Sequence, residues 1–157
     1  MITQDIEERI TGPEIIEYEI KAIWDEQSGA EITTKNGSSL KVDLPVGFGG
    51  MGIRLCPDEL LLSSAGGCLL LTFLHLAKRF KLRVHLLQVS LKGVTRFIGP
   101  EGYRITQIEG NLRIRVKEKY KDLAETCTTL TKKLCPILKL LDKGPTIIIN
   151  TEIEIIK

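Results

Sequence analysis

At 157 residues, with 43% hydrophobic and 27% charged residues, the chain has the length of one ordinary domain and a composition outside the disordered range. A net charge of +2, with Lys and Arg spread along the sequence, gives no electrostatic reason to expect a nucleic-acid or membrane-surface partner. Met1 to Pro13 is polar and acidic, without the basic-then-apolar pattern of a secretory signal, and is read as a flexible extension. The four cysteines therefore read as thiols of a cytoplasmic protein rather than a disulfide scaffold.

From Glu14 to Trp24 the residues alternate, with Ile16, Tyr18, Ile20, Ala22 and Trp24 on one side, which predicts a half-buried strand. Glu31 to Lys35 and Ser39 to Leu44 read as two further strands turned at Asn36-Gly37. The loop Pro45 to Gly52 has four glycines but neither a Lys-Ser/Thr ending nor GxGxxG spacing, so it reads as a mobile connection and not a phosphate cradle.

Pro57, Asp58 and Glu59 suit the first turn of a helix running to about Phe80. Inside it, Leu60 to Ala77 is an uncharged run of 18 residues, at the lower edge of membrane-spanning length. Ser63, Ser64, Gly66, Gly67, Thr72 and His75 interrupt the run, and the amphipathic strands need an apolar surface, so a buried core helix is favoured over a membrane span. His75 is read as a hydrogen-bonded core residue of that helix.

Val84 to Ile98 and Tyr103 to Val116 predict two long strands around Gly99 to Gly102. Glu118 to Lys133 reads as an amphipathic helix that ends near Leu134, since Pro136 must start a new one. Thr146 to Ile156 alternates as a last strand. With no repeat or linker, residues 1–157 read as one α+β domain.

The cysteines at 56, 68, 127 and 135 are separated by 12, 59 and 8 positions, and none of these spacings makes a CxxC zinc knuckle. Thiol chemistry needs a thiolate, and Cys135 just before Pro136 would sit at a helix N-cap near Lys132 and Lys133, which predicts an acidified thiol. Cys68 lies inside the apolar helix, where burial alone opposes ionisation, so it needs polar help. For any single cysteine the competing reading is a small inert hydrophobe, and Cys127 is read that way.

The run Cys56-Pro-Asp-Glu-Leu-Leu-Leu-Ser-Ser-Ala-Gly-Gly-Cys68 resembles the motif of the OsmC/Ohr family, in which a proline and an acidic step open the central helix and small residues lead to the peroxidatic cysteine. Leu134-Cys135-Pro136, 67 positions after Cys68, resembles the second family motif, and the order of elements fits along nearly the whole chain. The resemblance implies an OsmC-like α+β fold, with antiparallel sheets around a long hydrophobic central helix, in an intertwined homodimer.

It further implies a thiol-dependent peroxidase that reduces organic hydroperoxides in oxidative-stress defence. Cys68 would be peroxidatic and Cys135 resolving, with no bound cofactor and an external dithiol or lipoyl-type reductant. Asp58 falls at the position of the family's acid, which orients an arginine. The turn that carries that arginine in the family reads Asp25 to Ala30 here and has no Arg, so Arg54 is the candidate cation, ahead of Lys21 and Arg9. Cys56 stands where a small polar residue is usual. The alternative function is a non-catalytic OsmC-like dimer that binds a small apolar or thiol-reactive ligand in the interface pocket.

Overall fold

A computed structural model describes residues 15–144 and 146–156; the expected extension, residues 1–13, lies outside them. The chain divides into two compact units, with the break between Cys56 and Pro57.

The first unit is a three-stranded antiparallel sheet in the order β1-β2-β3, made by β1 (Ile20–Trp24), β2 (Gly29–Thr34) and β3 (Ser39–Asp43). The hairpin falls where Asn36-Gly37 predicts it. Gly37 N–H donates to the Thr34 carbonyl at 3.0 Å, and Gly37 has φ +88°, the left-handed conformation for which glycine carries no Cβ penalty. The first turn is built on Asp25, whose Oδ1 accepts the Gln27 and Gly29 N–H groups at 3.0 and 2.9 Å. The glycine-rich stretch, expected to be a mobile connection, holds a 3-10 turn over Val46–Phe48. It is tied down by Asp43, whose carboxylate takes the Ser28 hydroxyl at 2.6 Å and the Met51 N–H at 3.1 Å.

One expectation fails in this unit. The strand expected from Glu14, a residue outside those described, is absent over residues 15–19 and begins at Ile20, and all five of its residues are exposed rather than half-buried. Alternation makes one face of a strand apolar, but burial requires something to cover that face. Within the first unit, Val42 and Asp43 are the buried residues among those described.

The second unit holds the core. Helix α1 (Pro57–Arg79) buries Ala65, Leu69, Phe73, Leu76 and Ala77, a single stripe at helical spacing. Its C-terminus closes with the Leu82 N–H on the Ala77 carbonyl and the Lys81 N–H on the Lys78 carbonyl, a Schellman arrangement in which Lys81 takes φ +55°. The helix is long and apolar enough to cross a membrane by length and composition alone. His75, expected in the core, is exposed; it lies off the buried stripe.

Strands β4 (Val84–Phe97) and β5 (Tyr103–Lys117) pair antiparallel as predicted, and β6 (Thr146–Ile156) joins β5 in parallel. Helices α2 (Lys121–Leu134) and α3 (Pro136–Leu141) form the crossover that returns the chain for this parallel pairing. The central strand buries Ile108, Leu112, Ile114 and Val116 on one face. On α2 the buried positions are Ala124, Cys127, Thr128 and Thr131, again one stripe. The two buried threonines donate to the carbonyls of Ala124 and Cys127 at 2.8 and 2.7 Å, so neither hydroxyl is left unsatisfied.

Candidate active site

Cys68 sits at mid-length on α1, one residue before the fully buried Leu69. Cys135 occupies the single residue between α2 and α3, where Pro136 forces a break by lacking an N–H. The break turns α3 back across α1, and Leu69, Cys135 and Leu138 form one buried cluster. Cys68, Val89, Leu91, Ile137, Ile147 and Ile149 pack around it. Two thiols 67 residues apart in sequence are thereby brought to 2.8 Å, Sγ to Sγ, both of them free thiols.

The two sulfurs have different surroundings. Cys68 is partly exposed, and the Thr72 hydroxyl, one helical turn on, lies 4.0 Å from its sulfur. Cys135 is fully buried. Cys135 stands at the predicted N-cap position but makes no side-chain capping hydrogen bond, and the backbone N–H groups of Leu138 and Ile137 only lower its thiol against larger opposing causes. The predicted acidification does not follow. Burial pushes the Cys135 thiol up to about 11, and the hydrogen bond it shares with Cys68 adds to this, outweighing the two backbone donors. Lys132 is not among the groups that act on this sulfur; its ammonium donates to the Ile149 carbonyl at 2.9 Å.

An open groove of about 410 Å³ runs along α1, lined by Glu59, Leu62, Ser63, Gly66 and Gly67; neither Cys68 nor Cys135 lines it. Val89 and Leu91 line it too, and these same side chains pack against the cysteine cluster. Its walls are mostly apolar, with Ser63 and Glu59 at one end.

The other expected site residues fall as follows. Asp58 lies in the second unit, exposed in the first turn of α1, and its Oδ2 accepts the Thr95 hydroxyl at 3.0 Å. Thr95 adjoins a register shift in the β4–β5 ladder, and sequence reading gave no sign of it as a partner. Arg54 lies in the first unit and donates to Asp25 Oδ2 at 3.0 Å. Asp25 is held below the usual carboxylate range by the Gly29 N–H first, with Gln27 and Arg54 contributing. The turn without an arginine thus holds one through an acid. Cys127 is buried as expected, and burial raises its thiol to about 11. Cys56 is partly exposed. Among the described residues, His, Cys, Asp and Glu make no group of three able to hold a metal ion.

Solved structures share this fold. A hypothetical protein from Aquifex aeolicus is 21% identical with a TM-score of 0.73, over 91% of this chain and 100% of that one. An OsmC-like protein from Mycoplasma pneumoniae is 19% identical with a TM-score of 0.76, over 88% and 98%. An organic hydroperoxide resistance protein from Legionella pneumophila is 16% identical with a TM-score of 0.66, over 91% and 100%. No curated protein matches the sequence. The family model described as OsmC-like protein matches residues 49–150, which include both cysteines and the apolar helix between the units' break and the sheet, and the chain belongs to that family.

Proposed function

We propose that this protein is a thiol-dependent peroxidase that reduces organic hydroperoxides in peroxide defence. The observation that carries the reading is the 2.8 Å approach of the Cys68 and Cys135 sulfurs. Cys68, the more exposed thiol, attacks the distal peroxide oxygen, releases the alcohol and becomes a sulfenic acid. Cys135 then displaces hydroxide from that sulfur to form the disulfide, and an external dithiol, of lipoyl or similar type, restores both thiols. Such a distance needs only a small shift to reach bonding range, since a disulfide requires about 2.05 Å between sulfurs. The apolar side chains packed around the pair, Leu69, Leu138, Val89 and Leu91, favour an organic over an inorganic peroxide, and Asp58 and Arg54 are the proposed supporting acid and cation. The organic hydroperoxide resistance protein of Legionella pneumophila, alike in fold, supports the same theme.

The test is consumption of cumene hydroperoxide or hydrogen peroxide in the presence of a dithiol. Turnover is expected with the organic peroxide preferred, and Cys68→Ser is expected to abolish it. Activity that survives Cys68→Ser would refute the assignment.

We also propose that the working unit is a homodimer. The first unit leaves Ile20, Ile23 and Trp24 between 53% and 66% exposed, and Leu71 on α1 is 65% exposed. The first strand of this sheet is exposed along its whole length, and apolar patches on this scale mark interfaces. Sedimentation should give twice the chain mass of 17.5 kDa; a monomer at micromolar concentration would count against it.

A second reading, a non-catalytic dimer that holds a small apolar or thiol-reactive ligand, draws on one observation: the Arg54 guanidinium is already bound by Asp25. Saturable ligand binding without peroxide turnover would favour it.

A further inference from the structure

Building on the proposed peroxidase reading, we infer that Cys135 acts twice: before it resolves the sulfenic acid, its buried thiol is the hydrogen-bond donor that holds negative charge on the Cys68 sulfur. The inference starts from where Cys68 stands. As the twelfth of 23 residues in α1, it is too far along the helix to draw on the unsatisfied N–H groups of the first turn. Help must come from side chains. Among the described residues those with a hydrogen bond to its sulfur are the Thr72 hydroxyl at 4.0 Å, the outer limit for sulfur, and the Cys135 thiol at 2.8 Å.

The direction of the shorter contact follows from what surrounds the partner. In it the Cys135 thiol is the donor and the Cys68 sulfur the acceptor, and sharing this bond raises the Cys135 thiol, as befits the partner that keeps its proton. Complete burial keeps that proton in place at neutral pH, because an anion there would lose its water without gaining a counter-charge. Leu69 and Leu138 wall the pair on the inner side, so the donor has little room to swing away. A hydrogen bond to an anionic acceptor in such a setting is about twice as strong as one between neutral groups.

The proton accounting is consistent with the catalytic cycle. While Cys68 is an anion, Cys135 keeps its proton and shares it. Once Cys68 carries the peroxide's hydroxyl, the anion is gone and the hydrogen bond weakens. The Sγ–Sγ bond then forms, and the Cys135 proton leaves with the sulfenic hydroxyl as water. The oxidant is the hydroperoxide of the proposed reaction, whose alkoxide takes a proton from water as it leaves as the alcohol; in the second step the Cys135 sulfur supplies both electrons of the S–S bond while the S–O bond breaks with its pair on oxygen.

The experiment measures alkylation of Cys68 by iodoacetamide across the pH range in the full-length wild type, Cys135→Ser and Cys135→Ala, each site being read separately by peptide mass. Serine retains an O–H donor; alanine has none. The alanine variant is expected to react about tenfold more slowly at neutral pH, with its midpoint displaced upward, as losing a charge-assisted hydrogen bond would require. The serine variant should stay close to wild type. If alanine matches wild type, or if serine and alanine shift together, donation is not the role of Cys135. Thermal melts establish that each variant is folded, and Cys135→Val, which fills the space without a donor, replaces alanine if the cavity unfolds it. Because no peroxide enters this assay, a protein that fails to turn over hydroperoxides can still pass it, and the two readings fail separately.

Discussion

The same dehydration that keeps Cys135 protonated acts on Cys127, and there it can be measured free of the chemistry. Cys127 is fully buried on α2, and burial is the sole cause lifting its thiol from an ordinary 9.0 to about 11. A group whose folded value is raised holds its proton more tightly in the native state. The stability it lends is fully present below the unfolded value and is lost as pH climbs through the window from 9.0 to about 11. A displacement of two units corresponds to about 2.7 kcal/mol in full, and about 1.4 kcal/mol of this is gone by pH 10. The perturbation is Cys127→Ala, which removes the titrating group. Its packing cost is the same at every pH and cancels in the comparison. Urea unfolding of both proteins at about pH 8, 9 and 10, with a phosphine present to keep thiols reduced, reads the difference. Wild type should lose about 1.4 kcal/mol more than the variant between about pH 8 and 10. Parallel stability curves would refute the claim that this interior is dry enough to suppress ionisation, and with it the same claim for Cys135.

Three further outcomes follow from particular contacts. Cys135→Ser should let peroxide oxidise Cys68 but block the disulfide, so that a dimedone adduct on Cys68 accumulates where wild type yields a Cys68–Cys135 crosslink by peptide mass. Lys81→Gly should raise stability by about 0.5–1 kcal/mol in urea titration, because Lys81 occupies the left-handed position of the α1 cap at φ +55°. Gly110→Ala should cost about 1–3 kcal/mol by overpacking, since a Cβ on Gly110 would come within 2.3 Å of Leu91 Cδ2 and 2.8 Å of Ile149 Cδ1. Both of those side chains pack on the cysteine cluster, so the Gly110 variant should also form the disulfide more slowly.

Where local sequence was decisive, the elements were legible. Pro57 and the two acids after it start α1, the Pro136 ring ends α2 and starts α3, and Asn36-Gly37 turns the second hairpin, because each acts through bonds within a few residues. Pattern alone was a poorer guide to burial. Ile20 and Trp24 carry the alternation of a half-buried strand, yet both lie open in the single chain. Alternation records that one face is apolar, not whether or by what it is covered. His75 shows the complementary error. A helix with apolar residues all round offers no sign of which stripe faces inward, and the buried stripe through Leu69, Phe73 and Leu76 passes it by. The parallel placement of β6 likewise depended on where the crossover delivers the chain, which no periodicity reports.

The pairing of Cys68 with Cys135 could be reached only through the resemblance of two short motifs, since nothing within either segment points to the other. The chemistry of the pair was harder still, because two opposing effects meet at one sulfur. A helix N-cap favours an anion through the few N–H groups aimed at it, and sequence displays that signal plainly in Cys135-Pro136. Desolvation opposes the anion, and its size depends on Leu69, Leu138 and the β6 isoleucines, which come from three distant stretches of chain. Here desolvation wins, and the consequence is useful. Had the N-cap prevailed, two neighbouring thiolates at 2.8 Å would repel, and neither would ionise readily. With Cys135 held in its protonated form, Cys68 faces a donor in place of a rival charge. Under the proposed function, the environment thereby separates the roles of two chemically identical side chains: the half-exposed sulfur would meet peroxide, and the buried one would wait with its proton until there is a sulfenic acid to attack.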